Sequence, residues 1–101
     1  MSEWFVYIAK CRDDSLYCGI STNVERRIHE HNHTKRAARY TRSRRPVSLI
    51  FKSISMNRSQ ASFIEARFKK LKVTQKRELI NDIRKFNDYF DIECATLDTS
   101  V

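Results

Sequence analysis

The chain has 101 residues, 41% of them hydrophobic, with 20 Lys and Arg against 12 Asp and Glu for a net charge of +8. That length suits one domain with a modest core, and the apolar share argues for a folded chain rather than a disordered one. No apolar run is long enough to span a bilayer, and Lys10, Arg12 and Asp13 interrupt the N-terminus too early for a secretory signal. Cys11, Cys18 and Cys94 form no CxxC pair and read as reduced thiols of an intracellular protein, cytoplasmic or nuclear.

Charge is unevenly placed. Every Lys and Arg falls at or before Lys85, whereas Asp88, Asp91, Glu93 and Asp98 make a purely acidic tail. We therefore expect one domain over residues 1–87 and a tail over 88–101. The basic residues peak in KRAARYTRSRR, which supplies Lys35, Arg36, Arg39, Arg42, Arg44 and Arg45 around Tyr40. A solvated loop would explain such a run, but a body this basic favours a polyanion, nucleic acid above all. The run lacks the large apolar residues of an interfacial helix, which disfavours a membrane surface.

In chain order, WFVYIAKC from Trp4 reads as a strand rich in aromatic and β-branched residues. Turn chemistry follows at Arg12 to Ser15, and LYCGIS returns as a second strand, giving an N-terminal hairpin. Alternation puts Phe5, Tyr7 and Ala9 on one face and Trp4, Val6 and Ile8 on the other, while Tyr17 and Gly19 share a face of the second strand. Gly19 is the only glycine in the chain, where soluble proteins average about 7%. A missing Cβ there suits close approach of backbone, phosphate and the following helix; the competing reading is a bulge or a tight strand exit.

Thr22-Asn23-Val24-Glu25 fits a capping box for a helix whose inner stripe is Val24, Ile28 and His31, with Arg27 beside it. The basic run ends at Pro46, the only proline. VSLIFKSIS then alternates as a third strand with Val47, Leu49 and Phe51 on one face. Asn57 caps a second helix with a buried stripe of Ala61, Ile64, Phe68 and Leu71. Thr74 caps a third, carrying Leu79, Ile80, Ile83 and Phe86.

Three features fit a plain core poorly. Arg27 is a cation beside an apolar stripe, Glu65 is a carboxylate at the margin of another, and Tyr7 and Tyr17 come from paired strands. Each has a structural explanation: Arg27 reaching solvent along its stem, Glu65 pairing with Lys69 at i+4, the tyrosines packing as aromatics. His29, His31 and His33 raise a zinc reading, which the want of a nearby cysteine and the spacing set aside.

Together, and in order, these segments resemble the GIY-YIG nucleases. Val6-Tyr7-Ile8 and Tyr17-Cys18-Gly19 are similar to the family's paired strand motifs, with Val6 for the first motif's glycine and Cys18 for the second motif's isoleucine. ERRIHEH carries an arginine ten residues after the second tyrosine. ARYTRSRRPVSLIF is similar to the linking segment of small stand-alone members, and SQASFIEARFKKL resembles the helix bearing the metal-binding glutamate. Arg77 stands where many family nucleases carry an asparagine, with Asn81 nearest to it. The likeness covers Trp4 to about Ile80.

The resemblance implies an α+β fold with a small three-stranded antiparallel sheet flanked by about three helices. It also implies a divalent-metal-dependent DNA endonuclease, structure-selective or weakly specific, for repair, recombination or processing of branched or flapped DNA. In that scheme Glu65 holds one Mg2+ or Mn2+. Tyr17 helps activate the attacking water, through a phenolate favoured by Arg27 or by a metal-bound water, and Tyr7 positions that water or shares the task. Arg27 stabilises charge on the phosphate and His31 relays a proton. Lys35, Arg36, Arg39, Arg42, Arg44 and Arg45 would contact phosphates, with Tyr40 stacking or forming the rim and Gly19 a wall of the site. The alternative is a nucleic-acid-binding module that has lost catalysis. The acidic tail leaves room for a protein partner or homodimer.

Overall fold

The computed structural model describes residues 3–90. Strand β1, Phe5–Lys10, pairs antiparallel with β2, Leu16–Ser21, on one side and with β3, Ser48–Lys52, on the other, giving the sheet order β2-β1-β3. The expected three-stranded α+β fold is present. Among the described residues it has five helices: α1, Val24–His33; α2, Arg39–Arg42; α3, Arg58–Lys69; α4, Val73–Asn81; and α5, Ile83–Phe90.

The hairpin turn closes without glycine. Cys11 N donates to Ser15 O at 2.8 Å and Asp14 N to Cys11 O at 2.9 Å, while Asp14 takes the left-handed conformation at φ 68°. Asp and Asn accept that region more readily than other side chains. Asp13 steadies the turn through Ser15 N at 3.1 Å.

The sheet separates two apolar regions as alternation predicts. Val6, Ile8, Cys18 and Phe51 face Ala61, Ile64 and Phe68 of α3, Leu79 of α4, and Phe86 and Phe90 of α5. Phe86 is the hub, with ring centroids 4.4 Å from Phe51, 4.8 Å from Phe90 and 6.3 Å from Phe68. A smaller cluster of Ala9, Cys11 and Val47, flanked by Tyr17 and Ile28, lies on the face covered by α1.

Four local expectations are corrected. The cap of α1 is Asn23, whose Oδ1 accepts from Arg26 N at 3.0 Å; Thr22 is exposed, and Glu25 instead pairs with Lys52 at 3.2 Å. Ser21 explains the shift, because its Oγ accepts from Asn23 N at 3.0 Å and so fixes the chain one residue later. In β3, Val47 and Phe51 do not share a face: Ile8 pairs with Phe51 but Ala9 with Leu49, so Ile50 is an inserted residue that reverses the alternation. The third helix is two helices, since Asp82 leaves helical geometry at φ −138°, ψ 106° and its Oδ1 accepts from Arg84 N at 3.0 Å. Thr74 lies inside α4, whose N-cap is Lys72, with Lys72 N donating to Gln75 Oε1 at 3.0 Å.

Asn57 does cap α3, in a full box with Gln60. Phe90, the last described residue, is buried in the main core. The Ile83 side chain, Cys94 and the acidic Asp91, Glu93 and Asp98 lie outside the described residues. Cys11 and Cys18 are free, buried thiols, and no helix among the described residues is long and apolar enough to cross a membrane.

Gly19 has a definite reason. It lies directly across from Tyr7 in an unbroken β1–β2 register, and its φ is not positive, so there is no bulge and no turn. A Cβ at this position would come within 2.5 Å of Tyr7 Oη and 2.7 Å of Tyr7 Cζ. The clearance serves the tyrosine ring, not an approaching phosphate, and Gly19 itself is buried. Gly19→Ala is therefore expected to destabilise the fold by about 1–3 kcal/mol through overpacking. In a Tyr7→Leu background that cost should fall towards zero, read as a double-mutant cycle by urea unfolding. Equal costs in both backgrounds would remove Tyr7 as the cause.

Candidate active site

The adjacent strands and α1 set the centre of the site. Tyr7 of β1 is buried, and its hydroxyl lies 2.7 Å from His31 Nε2 of α1. The Tyr17 ring of β2 stands 6.3 Å from the Tyr7 ring and meets His31 edge-on at 5.1 Å. Its other side is stacked on Tyr40 of α2 at 6.0 Å, and the Arg44 guanidinium covers Tyr40 at 3.9 Å. Lys69 of α3 reaches over Tyr17 at 5.5 Å and pairs with Glu65 Oε2 at 3.2 Å.

An open cleft of about 310 Å3 lies beside this group, lined by Leu16, Tyr17, Cys18, Tyr40, Lys69 and Lys76. Tyr17 is thus the tyrosine that faces solvent, and Tyr7 lies behind it.

The fold brings together all five residues expected to carry chemistry. The charge of Arg27 acts on Tyr7, Tyr17 and His31, and Glu65 acts on Tyr17. Arg27 is not a free cation: its Nη1 donates to Glu30 Oε1 at 3.0 Å and to Arg36 O at 2.8 Å. Those two bonds hold the guanidinium against α1 and the start of the basic run.

The expected basic surface is only partly assembled. Of its members, Tyr40 alone lines the cleft. Arg45 Nη1 donates to Thr34 O at 3.2 Å at the end of α1, Arg42 Nη2 to Lys35 O at 2.9 Å, and Arg44 to Tyr40 O at 3.0 Å and Asp13 Oδ2 at 3.2 Å. Lys35, Arg36 and Arg39 are exposed. The cations of the cleft are Lys69 and Lys76, which the basic run does not point to. Their signal was helical spacing: Lys69 is four residues after Glu65, and Lys76 precedes Leu79 and Ile80 by three and four on the inward stripe of α4.

Electrostatics leave the buried groups neutral. Burial raises the Tyr7 phenol above its ordinary 10.0, with Tyr17 adding to the rise and Arg27 opposing it. Burial also raises Tyr17, against Lys69 and Arg27. His31 is pushed down from 6.5 to about 4, by burial first and Arg27 second. Neither tyrosine is therefore a phenolate at neutral pH: desolvation outweighs the arginine. The neutral imidazole of His31 is the base among them.

Glu65 has the chemistry of a divalent-metal ligand. Its side chain is 24% exposed on the side of α3 near Tyr17, and a hard cation that keeps several waters needs few protein carboxylates. No group of three or more His, Cys, Asp or Glu gathers among the described residues. Glu65 fits such an ion as a single oxygen ligand. His29 and His33 stack on each other at 4.7 Å on the exposed side of α1, whereas His31 turns inward.

A three-stranded antiparallel sheet that sets two tyrosines from paired strands beside an arginine and a histidine of the next helix, and a glutamate of a later one, defines a GIY-YIG domain. The comparisons agree: residues 3–78 match the GIY-YIG catalytic domain, and the chain belongs to that family, a nuclease superfamily. It is 51% identical to the UPF0213 protein DP2720 of Desulfotalea psychrophila over 81% of this chain and 74% of that one. It is 43% identical to the UPF0213 protein SH2523 of Staphylococcus haemolyticus over 81% and 99%. It is 40% identical to the UPF0213 protein YsiG of Lactococcus lactis over 92% of each. No solved structure matches the chain.

The depressed His31 predicts a pH-dependent stability. Between pH 6.5 and about 4 the unfolded chain binds a proton at His31 that the folded chain refuses, so stability is full above that window and falls as pH drops through it. At about 1.4 kcal/mol per unit, the loss is at most about 3.5 kcal/mol. His31→Gln should flatten the fall in urea midpoint from pH 7 to 4.5; an unchanged slope would assign it to the carboxylates.

Proposed function

We propose that the protein is a divalent-metal-dependent endonuclease that hydrolyses phosphodiester bonds in DNA, with a preference for branched, flapped or otherwise unpaired substrates. The observation that carries this reading is the position of Tyr17. It lines an open cleft with Lys69 and Lys76, and behind it lies the buried Tyr7–His31 pair.

Each residue then has a task. Lys69 and Lys76 draw the phosphate into the cleft as point charges, and Arg27 stabilises the charge that develops on it. Tyr17 orients the attacking water by hydrogen bonding. The attacking water gives its proton to the Tyr7 oxygen as Tyr7 passes its own to His31 Nε2, 2.7 Å away, so no free phenolate is needed. Glu65 holds Mg2+ or Mn2+, which when bound supplies Lewis-acid stabilisation of the phosphate oxygens. The Tyr40 face, backed by Arg44, offers a stacking surface for a base. Bases expose their faces only where a strand is unpaired, which is the basis for the structural preference.

The test is cleavage of single-stranded, branched, flapped and plain duplex DNA with Mg2+ or Mn2+. Wild type should cut the substrates with unpaired nucleotides faster than plain duplex. Glu65→Gln should lower kcat by about 10²–10³-fold, the scale of losing one charge-stabilising group. Cutting that survives Glu65→Gln would place the chemistry elsewhere. Salt-sensitive binding without cutting would favour the binding-module reading, for which the Lys69–Glu65 ion pair is the supporting observation.

A further inference from the structure

Behind Tyr7 lies a second polar contact that the roles above leave unused. His31 and Thr41 are both fully buried, and His31 Nδ1 lies 2.8 Å from Thr41 Oγ1. Thr41 Oγ1 lies in turn 3.0 Å from Ala38 O, one turn back along the chain. Thr41 has a single hydroxyl hydrogen, and a carbonyl can only accept. If that hydrogen goes to Ala38 O, the hydroxyl oxygen must accept from His31, which places the imidazole proton on Nδ1. The lone pair is then on Nε2, facing the Tyr7 hydroxyl at 2.7 Å.

We infer that Thr41 is a positioning residue for the reaction: it fixes the Nδ1–H tautomer of His31 and so keeps Nε2 free to accept the Tyr7 proton. The inference rests on the reading of Tyr7 and His31 as the proton acceptor of the site. One direction runs through the whole chain, from Tyr7 O–H to His31 Nε2, from His31 Nδ1–H to Thr41 Oγ1, and from Thr41 O–H to Ala38 O. Every donor in it meets an acceptor, as burial requires. The reverse direction would make Nε2 the donor and leave the Tyr7 hydrogen to find another acceptor in a site where Tyr7 is 1% exposed. Ala38 N also donates towards Nδ1, at 3.4 Å; that longer contact requires a bare Nδ1 and competes with the 2.8 Å Thr41 contact for the same ring atom. Thr41 touches neither the cleft nor Tyr7. It acts through the histidine, as the buried carboxylate does in a serine-protease triad.

The test reads the tautomer and the rate separately. Nitrogen-15 NMR of the His31 ring in the wild-type protein should show Nδ1 protonated and Nε2 bare at pH 7. Thr41→Val keeps the shape but removes the hydroxyl. It should shift His31 towards the Nε2–H form and lower kcat by about 10–100-fold with KM unchanged. Thr41→Ser, which restores the hydroxyl, should recover both. A wild-type spectrum with Nε2 protonated overturns the inference without any variant, so it stands or falls even where Thr41→Val does not fold. A folded Thr41→Val that keeps both the tautomer and the rate also overturns it. A wild type that cuts no DNA counts against the nuclease reading, whereas the ring spectra still decide the tautomer.

Discussion

The site depends on Tyr7 lying over a strand position that has no Cβ. Gly19 is directly opposite Tyr7, and any side chain there would overlap the ring. Remove that space and the ring must leave the sheet face, taking its hydroxyl away from His31. The rest of the arrangement is built outward from this contact. The hairpin register sets Tyr7 against Gly19, and the same register sets Tyr17 against Ala9, two residues along the same face. Ala9 is small, so the Tyr17 ring can lean towards the cleft while Tyr7 stays beneath it.

Burial then divides the chemistry between an inner and an outer layer. Tyr7, His31 and Thr41 are within the protein, where a neutral phenol, a neutral imidazole and a hydroxyl satisfy one another without any charge to desolvate. Tyr17, Glu65, Lys69 and Lys76 sit at the boundary, where ion pairs tolerate water and the cleft carries positive charge. Arg27 bridges the layers: it is partly exposed, yet its charge reaches both tyrosines and the histidine. Glu30 and Arg36 O fix its position. Since the guanidinium favours phenolate and opposes imidazolium, it biases the Tyr7–His31 pair against holding the proton on the histidine permanently.

The sequence made the strands, the hairpin and α3 readable because each rests on local signals that agree. Alternation assigns Val6, Ile8 and Cys18 to the core, and Asn57 with Gln60 forms a true capping box. What was not readable depended on contacts between distant segments. The inserted Ile50 leaves no mark in a run of apolar residues, because VSLIF alternates plausibly in either phase. Thr22 and Asn23 are both good caps, and only the Ser21 side chain settles which one starts α1. Asp82 can sit within a helix by pattern, and it ends α4 through the shape of the core that α5 must cover. Of the candidate site, Tyr7, Tyr17, Arg27, His31 and Glu65 stand out in the sequence through the family resemblance, and the fold gathers them; their roles are a proposal. Thr41 does not stand out, since a threonine in a run of arginines carries no sign that it is buried.

The basic run does structural work of its own. Its length and charge suggest a row of phosphate contacts, but Arg42, Arg44 and Arg45 turn their guanidinium groups onto Lys35 O, Tyr40 O and Thr34 O, and Arg44 adds Asp13. This segment has no glycine and only a single turn of helix to satisfy its backbone. Arginine, with five donors in a planar fork, can bind several carbonyls of a loop that cannot pair with itself. Three of the charges therefore help fold the loop that carries Thr41 and Tyr40, one to the histidine and the other to the cleft. The same residues that raise the charge of the chain fix the inner and outer layers of the site relative to each other. Charge density here is first a way of building a short connection, and Lys35, Arg36, Arg39 and Arg42 remain exposed on its outer side.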